Sequence, residues 1–143
     1  MSASNIPLSG EMRRLIEAKI DITLKGIEDT LLQVIEKQGI DPNELKADLE
    51  SLEVTFSILF QKWSLEILYS LFLKSTLGFG ELKKALGVNS RTLSDKLKLL
   101  KEYGYLERNV TQGPPLRVEY TLTKKGKNTV LLAIPLLYYS SSA

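Results

Sequence analysis

The sequence predicts a mainly α-helical fold with one small β-hairpin, an α+β arrangement, and three observations lead to this prediction. Apolar residues between Glu11 and Gln38 recur every three or four positions, as they do along one side of a helix. A short helix, a tight glycine turn and a longer helix follow within residues 79–103. Two segments that alternate apolar and polar residues then flank the dipeptide Pro114-Pro115, which is typical of a hairpin.

The composition is typical of an ordinary folded protein, and it excludes several kinds of chemical site. The 143 residues are the size of one domain, with 43% hydrophobic and 25% charged side chains. The chain has no cysteine and no histidine, which excludes disulfides, thiolate metal sites and the commonest general base. No cluster of carboxylates has a catalytic or metal-binding spacing. We therefore predict a protein that is not an enzyme and uses no cofactor or metal.

Two segments of the sequence bear on the cellular location that we predict. Residues 1–10 are polar, and we predict that they form a disordered tail without the apolar run of a signal peptide. The longest apolar run, Val130–Tyr139, is about half the ~20 residues that a membrane span needs. We expect a cytoplasmic protein with no membrane contact.

The net charge of +2 conceals an asymmetry between the two halves of the chain. Residues 1–60 contain 6 basic and 11 acidic side chains, whereas residues 61–143 contain 13 basic and 6 acidic ones. Such asymmetry indicates a nucleic-acid surface on the basic half. Lysines that merely solvate helices would give the same totals, so charge alone does not decide between the two interpretations.

Residues 11–60 predict two helices. The first places five apolar residues at alternating spacings of four and three, the period of helix-on-helix packing: Ile20, Leu24, Ile27, Leu31 and Val34. Gly39 fits a left-handed helix end, and Asp41 can cap a second helix with Pro42 in its first turn. That second helix carries a further apolar set, and the pattern leaves open whether it continues as far as Trp63: Leu45, Leu49, Leu52 and Phe56. We predict that residues 11–60 form a dimerisation region.

Three shorter helices are expected after Trp63. Ser64 can cap the first, which ends at Leu77-Gly78 and buries four residues: Leu65, Leu68, Leu71 and Phe72. The second spans Phe79–Leu86, with Phe79, Leu82 and Leu86 facing inward. After a tight turn at residues 87–89, Ser90 can cap the third, which runs to Tyr103 and stops at Gly104.

Two alternating strands follow, Tyr105–Thr111 and Leu116–Leu122, joined by Gln112–Pro115. Thr123 can cap a last helix that Pro135 kinks or ends. Helix, turn, helix and hairpin in this order predict a winged helix-turn-helix over residues 61–127. Residues 128–143 would form a C-terminal helix and tail. Because Val130–Tyr139 is too apolar for a free surface, this helix packs either against the partner subunit as a dimerisation helix, which we favour, or back on the N-terminal helix.

The longer helix after the turn carries candidate DNA-reading residues. At about 100° per residue, its leucines share one side, and the opposite side offers Arg91 to guanine, Asp95 to a cytosine amino group and Lys98 to phosphate. An ordinary solvated helix face would show the same pattern, but the basic hairpin that follows favours DNA binding. We predict DNA contacts from six residues of this helix: Ser90, Arg91, Thr92, Ser94, Asp95 and Lys98.

The hairpin is the candidate wing. Its prolines lower the entropy lost when a loop is held against a duplex. Thr111, Gln112 and Arg117 flank its tip and can reach phosphate or the minor groove. Four more basic residues are expected to add positive potential nearby: Arg108, Lys124, Lys125 and Lys127.

Four segments resemble the HxlR family of transcription regulators, part of the wider MarR-like winged-helix group. They are KWSLEIL (62–68), FGELKKAL (79–86), SRTLSDKLKLLKEYGYLER (90–108) and PPLRVEYTLTKKG (114–126). The resemblance covers roughly residues 60–135. It implies a homodimer on a pseudo-palindromic operator, with the recognition role at Ser90–Lys98 and the wing role at Thr111–Arg117.

Three features differ from that family's pattern. The turn at residues 87–89 is one residue shorter, and the N-terminal helices are longer than the family needs. The segment LESLEVTFSILFQKW has no cysteine ahead of Trp63, so the thiol or aldehyde sensing of some members is not expected here.

We predict a sequence-specific transcription regulator whose partners are double-stranded DNA and a second copy of itself. The alternative is a winged-helix protein-interaction module without DNA readout, whose acidic half binds a protein. A small-molecule effector is compatible with the sequence but has no residue pattern in its support. Four aromatic residues could line such a ligand site, although core packing explains them better: Phe56, Phe60, Trp63 and Tyr69.

Overall fold

The computed structural model describes residues 10–141, with side chains as far as Leu136. Six helices and three strands occur within these residues: α1 Gly10–Gln38, α2 Pro42–Leu59, α3 Ser64–Lys74, β1 Thr76–Gly78, α4 Phe79–Leu86, α5 Ser90–Glu102, β2 Leu106–Thr111, β3 Arg117–Leu122 and α6 Lys124–Ser141. The predicted mainly helical fold with a small antiparallel sheet is confirmed. The tail predicted as disordered lies outside the described residues except for Gly10. Among the described helices, none has the length and apolar character to span a bilayer.

The chain divides into two compact units. Among the described residues, the first contains residues 10–51 together with residues 133–141, and the second is Leu52–Leu132. Helix α1 ends at Gly39, whose φ of 71° is the left-handed conformation that the sequence predicts. The Asp41 carboxylate then accepts a hydrogen bond from the Asn43 amide at 2.9 Å, which confirms Asp41 as the cap of α2.

The predicted apolar seam of α1 is largely uncovered. Ile20 is buried, but the other four seam residues are 45–58% exposed: Leu24, Ile27, Leu31 and Val34. The predicted face of α2 is also exposed at each of its positions: Leu45, Leu49, Leu52 and Phe56. These faces have the period of packed helices, yet the described residues of this chain do not cover them.

The core of the second unit is built from α3, α4, α5 and the sheet. Helix α3 buries Ile67, Leu68 and Leu71, whereas the predicted Leu65 and Phe72 are only half-buried. Leu82 of α4 is fully buried, and Phe79 and Leu86 beside it are half-buried. Ile67 was missed because the prediction placed the inward face of α3 one residue away from where the fold places it.

The sheet has three strands in the order β1-β3-β2, all antiparallel. The predicted hairpin is confirmed, with Leu106 opposite Leu122 and Thr111 opposite Arg117. Strand β1 was not predicted, because Thr76–Gly78 is too short to show alternation. It forms through pairing with Thr121, Tyr120 and Glu119, which lie far along the chain.

The predicted caps of two helices are wrong by one residue. Ser64 is the first residue of α3 rather than its cap, and Trp63 precedes it with a left-handed φ of 78°. The Ser64 hydroxyl is fully buried and has no hydrogen-bond partner among the described residues. Likewise Ser90 is the first residue of α5, and Asn89 is the cap, since its side-chain oxygen accepts from the Thr92 amide at 2.8 Å.

Replacing Asn89 by alanine is expected to lower the free energy of unfolding by about 1 kcal/mol, because the first turn of α5 loses its cap. Replacing Ser90 by alanine should change it by only a few tenths of a kcal/mol, because that hydroxyl is not the cap. Urea denaturation of both variants measures the difference. A larger loss for Ser90→Ala than for Asn89→Ala would show that the cap is wrongly assigned.

Thr123 joins β3 to α6 at a tight corner. Its hydroxyl donates to the Gly104 carbonyl at 2.6 Å and accepts from the Gly126 amide at 3.0 Å, so its predicted capping role is confirmed. Its own amide donates to the Tyr105 carbonyl at 3.2 Å. A Cβ atom on Gly126 would lie 1.9 Å from that same carbonyl oxygen, so only glycine fits there. Burial raises the pKa of the Tyr105 hydroxyl above its ordinary 10.0.

One alternative at Pro135 and one predicted set of core residues need correction. Helix α6 continues through Pro135 to Ser141, which excludes the alternative that Pro135 ends the helix. The four aromatic residues expected in the core are not buried: Phe56, Phe60 and Tyr69 are exposed and Trp63 is half-buried. Phe60 instead stacks on Phe56 with ring centroids 5.1 Å apart, and the ammonium group of Lys62 lies 5.3 Å from the Trp63 ring centroid.

Candidate nucleic-acid interface

Helix α5 turns one face to the core and the other to solvent. Leu93, Leu97 and Leu100 are at most 2% exposed, which confirms the predicted inward face. The helix packs against β2, so α5 and the hairpin belong to one packed unit. The Asn89 cap orders the first turn, and this turn is the part of a recognition helix that enters the major groove.

The six predicted DNA-reading residues of α5 lie on or beside its outward face. Ser90, Arg91, Asp95 and Lys98 are exposed, whereas Thr92 and Ser94 are half-buried. Within residues 10–141, the charged groups of Arg91, Asp95 and Lys98 form no ion pair. The charged groups of Arg91 in the first turn and Lys98 two turns later are therefore exposed and not held in an ion pair, with Asp95 one turn from each.

Beside this face is a shallow groove that the sequence did not reveal. It has a volume of about 410 Å³ and is lined by Gln61, Thr92, Asp95, Lys96 and Leu99. The Lys96 ammonium donates a hydrogen bond to the Gln61 side-chain oxygen, across 35 positions of sequence. Lys96 is therefore held against the segment before α3, a contact that helical periodicity cannot predict.

The wing protrudes as a two-stranded ribbon. Thr111, Gln112 and Arg117 are all exposed, and Gly113 at the tip has a φ of 129°, which favours glycine. Arg117 lies 3.8 Å from the carboxylate of Glu119, but its side chain remains 72% exposed. Such an exposed pair contributes little free energy, so the Arg117 guanidinium can exchange this partner for a phosphate.

The basic residues predicted near the wing have two different roles. Arg108, Lys124 and Lys127 are exposed on the surface of the second unit. Lys125 is exposed as well, but its ammonium donates to the Tyr103 carbonyl at 2.8 Å and lies 4.5 Å from the Tyr105 ring centroid. Lys125 therefore ties the start of α6 to the end of α5, a structural role that the sequence did not show.

A second groove, of about 480 Å³, lies between α3, β3 and the start of α6, where Leu71, Phe72, Leu122 and Lys127 line it. Across the described part of the chain, no group of three or more histidine, cysteine, aspartate or glutamate side chains is arranged to hold a metal ion.

Comparison with known proteins agrees with this arrangement. The profile of the HxlR-like helix-turn-helix family matches residues 58–138. YdzF of Bacillus subtilis, an HTH-type transcriptional regulator, is 38% identical over 77 residues, which cover 53% of this chain and 71% of YdzF. YvaP of the same organism, also an HTH-type transcriptional regulator, is 38% identical over 76 residues, covering 52% of this chain and 69% of YvaP.

Among solved structures, a MarR-family transcriptional regulator from Enterococcus faecalis superposes with a TM-score of 0.57 at 31% identity. The superposition covers 72% of this chain and 87% of that one. The matched region contains the helices, turn and hairpin described above, and α1 with most of α2 precedes the family match. The chain therefore belongs to the HxlR-like helix-turn-helix family, the MarR-like winged-helix transcription regulators that bind DNA.

Proposed function

We propose that the protein acts as a homodimer that binds a pseudo-palindromic operator sequence-specifically, with α5 in the major groove of each half-site. The observation that carries this proposal is the exposed outward face of α5, where Arg91 and Lys98 form no ion pair within the described residues. In this proposal Arg91 pairs bidentately with guanine, and Ser94 and Asp95 contact neighbouring bases. Ser90 and Thr92 flank these three at the start of the helix.

The wing would hold the DNA backbone. Arg117 and Gln112 supply donors to phosphate oxygens, and Thr111 supplies a hydroxyl on the strand that leads into the tip. Lys98 adds a phosphate contact from α5. Its ammonium group is a flexible point charge, which can meet a phosphate without the fixed geometry that a base edge requires. These contacts position the protein, whereas the first turn of α5 reads the sequence.

Exposed apolar surface supports the homodimer. Leu131, Leu132 and Leu136 of α6 are 44–71% exposed, as are Leu49 and Leu52 in the middle of α2. Apolar side chains concentrated on a few helices mark an association surface rather than a solvated one. The structure describes the side chains of α6 as far as Leu136, so this support comes from the part of the apolar run up to that residue. A dimer related by twofold symmetry would place two α5 helices about one DNA turn, ~34 Å, apart.

The experiment that tests this function is selection of bound sequences from a random duplex pool, followed by a titration of the selected duplex. We expect a palindromic consensus whose half-sites are one helical turn apart. Absence of any enriched sequence, together with weak binding at low salt, would favour the alternative of a protein-interaction module.

Salt dependence tests the phosphate contacts separately. If Lys98 and Arg117 each neutralise one phosphate in both protomers, the slope of log affinity against log salt is about −3.6, so affinity falls roughly 150-fold between 50 and 200 mM salt. Arg117→Ala should reduce that slope by about 1.8, since each protomer loses one contact. Fluorescence anisotropy measures both values. Arg14→Ala removes the same side chain from an exposed site on α1, so it should leave the slope unchanged.

A further inference from the structure

The exposed seam of α1 has an unusual distribution of side-chain shapes. Spacings of four and three residues assign Leu24 and Leu31 to the a positions of a heptad, and Ile20, Ile27 and Val34 to the d positions. The β-branched residues therefore all lie at d and the leucines at a. Two-stranded coils favour the reverse arrangement, whereas leucine at a with isoleucine at d favours three or four strands.

Ile35 widens the seam on one side. It occupies the e position that follows Val34 and is half-buried, whereas Ile22 and Leu32, at the f and b positions, lie away from the seam. A helix in a two-stranded coil buries only its narrow a/d stripe, whereas a helix with two neighbours buries a broader one. Ile20 is already buried within the chain, so the seam open to other copies is Leu24–Val34.

Charge indicates the relative direction of the helices. Asp21 and Glu28 occupy the e positions of this heptad, and Thr23 and Thr30 occupy the g positions. Antiparallel neighbours bring e opposite e and would set these carboxylates against each other. Parallel neighbours bring e opposite g, so Glu28 faces Thr23, Asp21 faces Ile16, and no like charges meet.

We propose that the α1 seams of four copies associate as a parallel four-stranded bundle that joins two DNA-binding dimers. This inference rests on the proposed dimer. The heptad favours three or four strands, and of these only four can be assembled from whole dimers. From Ile20 to Val34 the seam is only ~21 Å long, too short to hold isolated helices together in water. Dimerisation through α2 and α6 supplies the missing stability, since it delivers α1 helices in tethered pairs. The resulting tetramer presents two pairs of recognition helices and binds two operators at once.

The test is the mass of the full-length protein by light scattering and sedimentation velocity at about 10 μM and above. We expect four times the chain mass of 16.1 kDa, and a stoichiometry of two operator duplexes per tetramer. A mass of twice 16.1 kDa over this range overturns the tetramer. Operator binding by such a dimer would leave the proposed function intact, whereas a monomer would overturn both.

Variants locate the interface. Leu31→Lys should reduce the mass to the dimer without loss of operator binding, and Gln33→Lys, which adds the same charge at an exposed position outside the seam, should leave the tetramer intact. The fourfold exchange Leu24→Ile, Ile27→Leu, Leu31→Ile and Val34→Leu keeps the seam apolar but reverses the a and d shapes. We expect it to give a dimer as well. Circular dichroism checks that both seam variants keep their helices. If both variants remain tetrameric, the contact between dimers lies elsewhere and the proposal is overturned.

Discussion

Replacing Arg91 by alanine is expected to weaken operator binding at least about 30-fold. Arg91 is exposed in the first turn of α5, and a bidentate contact with guanine discriminates by ~1–3 kcal/mol. A homodimer loses the contact in both half-sites, so the lower estimate is about 2 kcal/mol. Titrations of wild-type and variant protein with the selected operator and with a random duplex measure the loss. Stability should stay within about 0.5 kcal/mol of wild type, because the side chain is exposed and unpaired in the described structure.

Arg91→Lys separates charge from base reading. Lysine keeps the positive charge but lacks the planar fork that fits guanine. We expect it to retain binding to random duplex and to lose preference for the operator. Arg14→Ala on α1 is the matched control and should bind like wild type. Wild-type operator preference in both Arg91 variants would show that α5 does not read bases through this residue.

Replacing Gly126 by alanine is expected to lower the free energy of unfolding by about 3 kcal/mol. The added Cβ would lie 1.9 Å from the Tyr105 carbonyl oxygen and 3.2 Å from Leu122, so the start of α6 has to move away from the sheet. That movement disrupts the hydrogen bonds of Thr123 to Gly104 and Tyr105. Urea denaturation at one fixed protein concentration measures the loss, because association also contributes to stability.

Gly26→Ala is the matched control for this substitution. Gly26 is also helical, and a Cβ atom there meets nothing within 4 Å. Alanine should therefore stabilise α1 by about 0.5–1 kcal/mol, since glycine loses more backbone freedom on folding. The same chemical change thus has opposite effects at two sites. Equal effects would mean that the approach of α6 to Tyr105 is not as close as the structure shows.

The order of the helices and the hairpin, and the outward face of α5, followed from the sequence, because they depend on local signals. Helical period alone placed Leu93, Leu97 and Leu100 inward, and left Arg91 and Lys98 on the outward side. Turn chemistry located Gly39 and Gly104, which have φ values of 71° and 82°. The candidate DNA-binding residues were identified from the same period and remain a prediction that the experiments above address.

Contacts between residues far apart in sequence were beyond such reasoning. Strand β1 exists only because β3 supplies its hydrogen-bonding partner, and Lys96 meets Gln61 only because the fold brings their segments together. The helix caps shifted by one residue at Asn89 and Trp63, since several neighbouring residue types are acceptable caps and packing selects among them.

The seam of α1 and the corner at Gly126 show most clearly what each level of structure decides. The sequence by itself determined that Leu24, Ile27, Leu31 and Val34 share one side of a helix, because that depends only on spacing. Only the tertiary structure decided that this side is left open within the chain, because exposure depends on where every other element packs. It likewise decided that Gly126 must be glycine, because the constraint is a carbonyl oxygen of Tyr105, 21 residues earlier in the chain, which the fold brings against it.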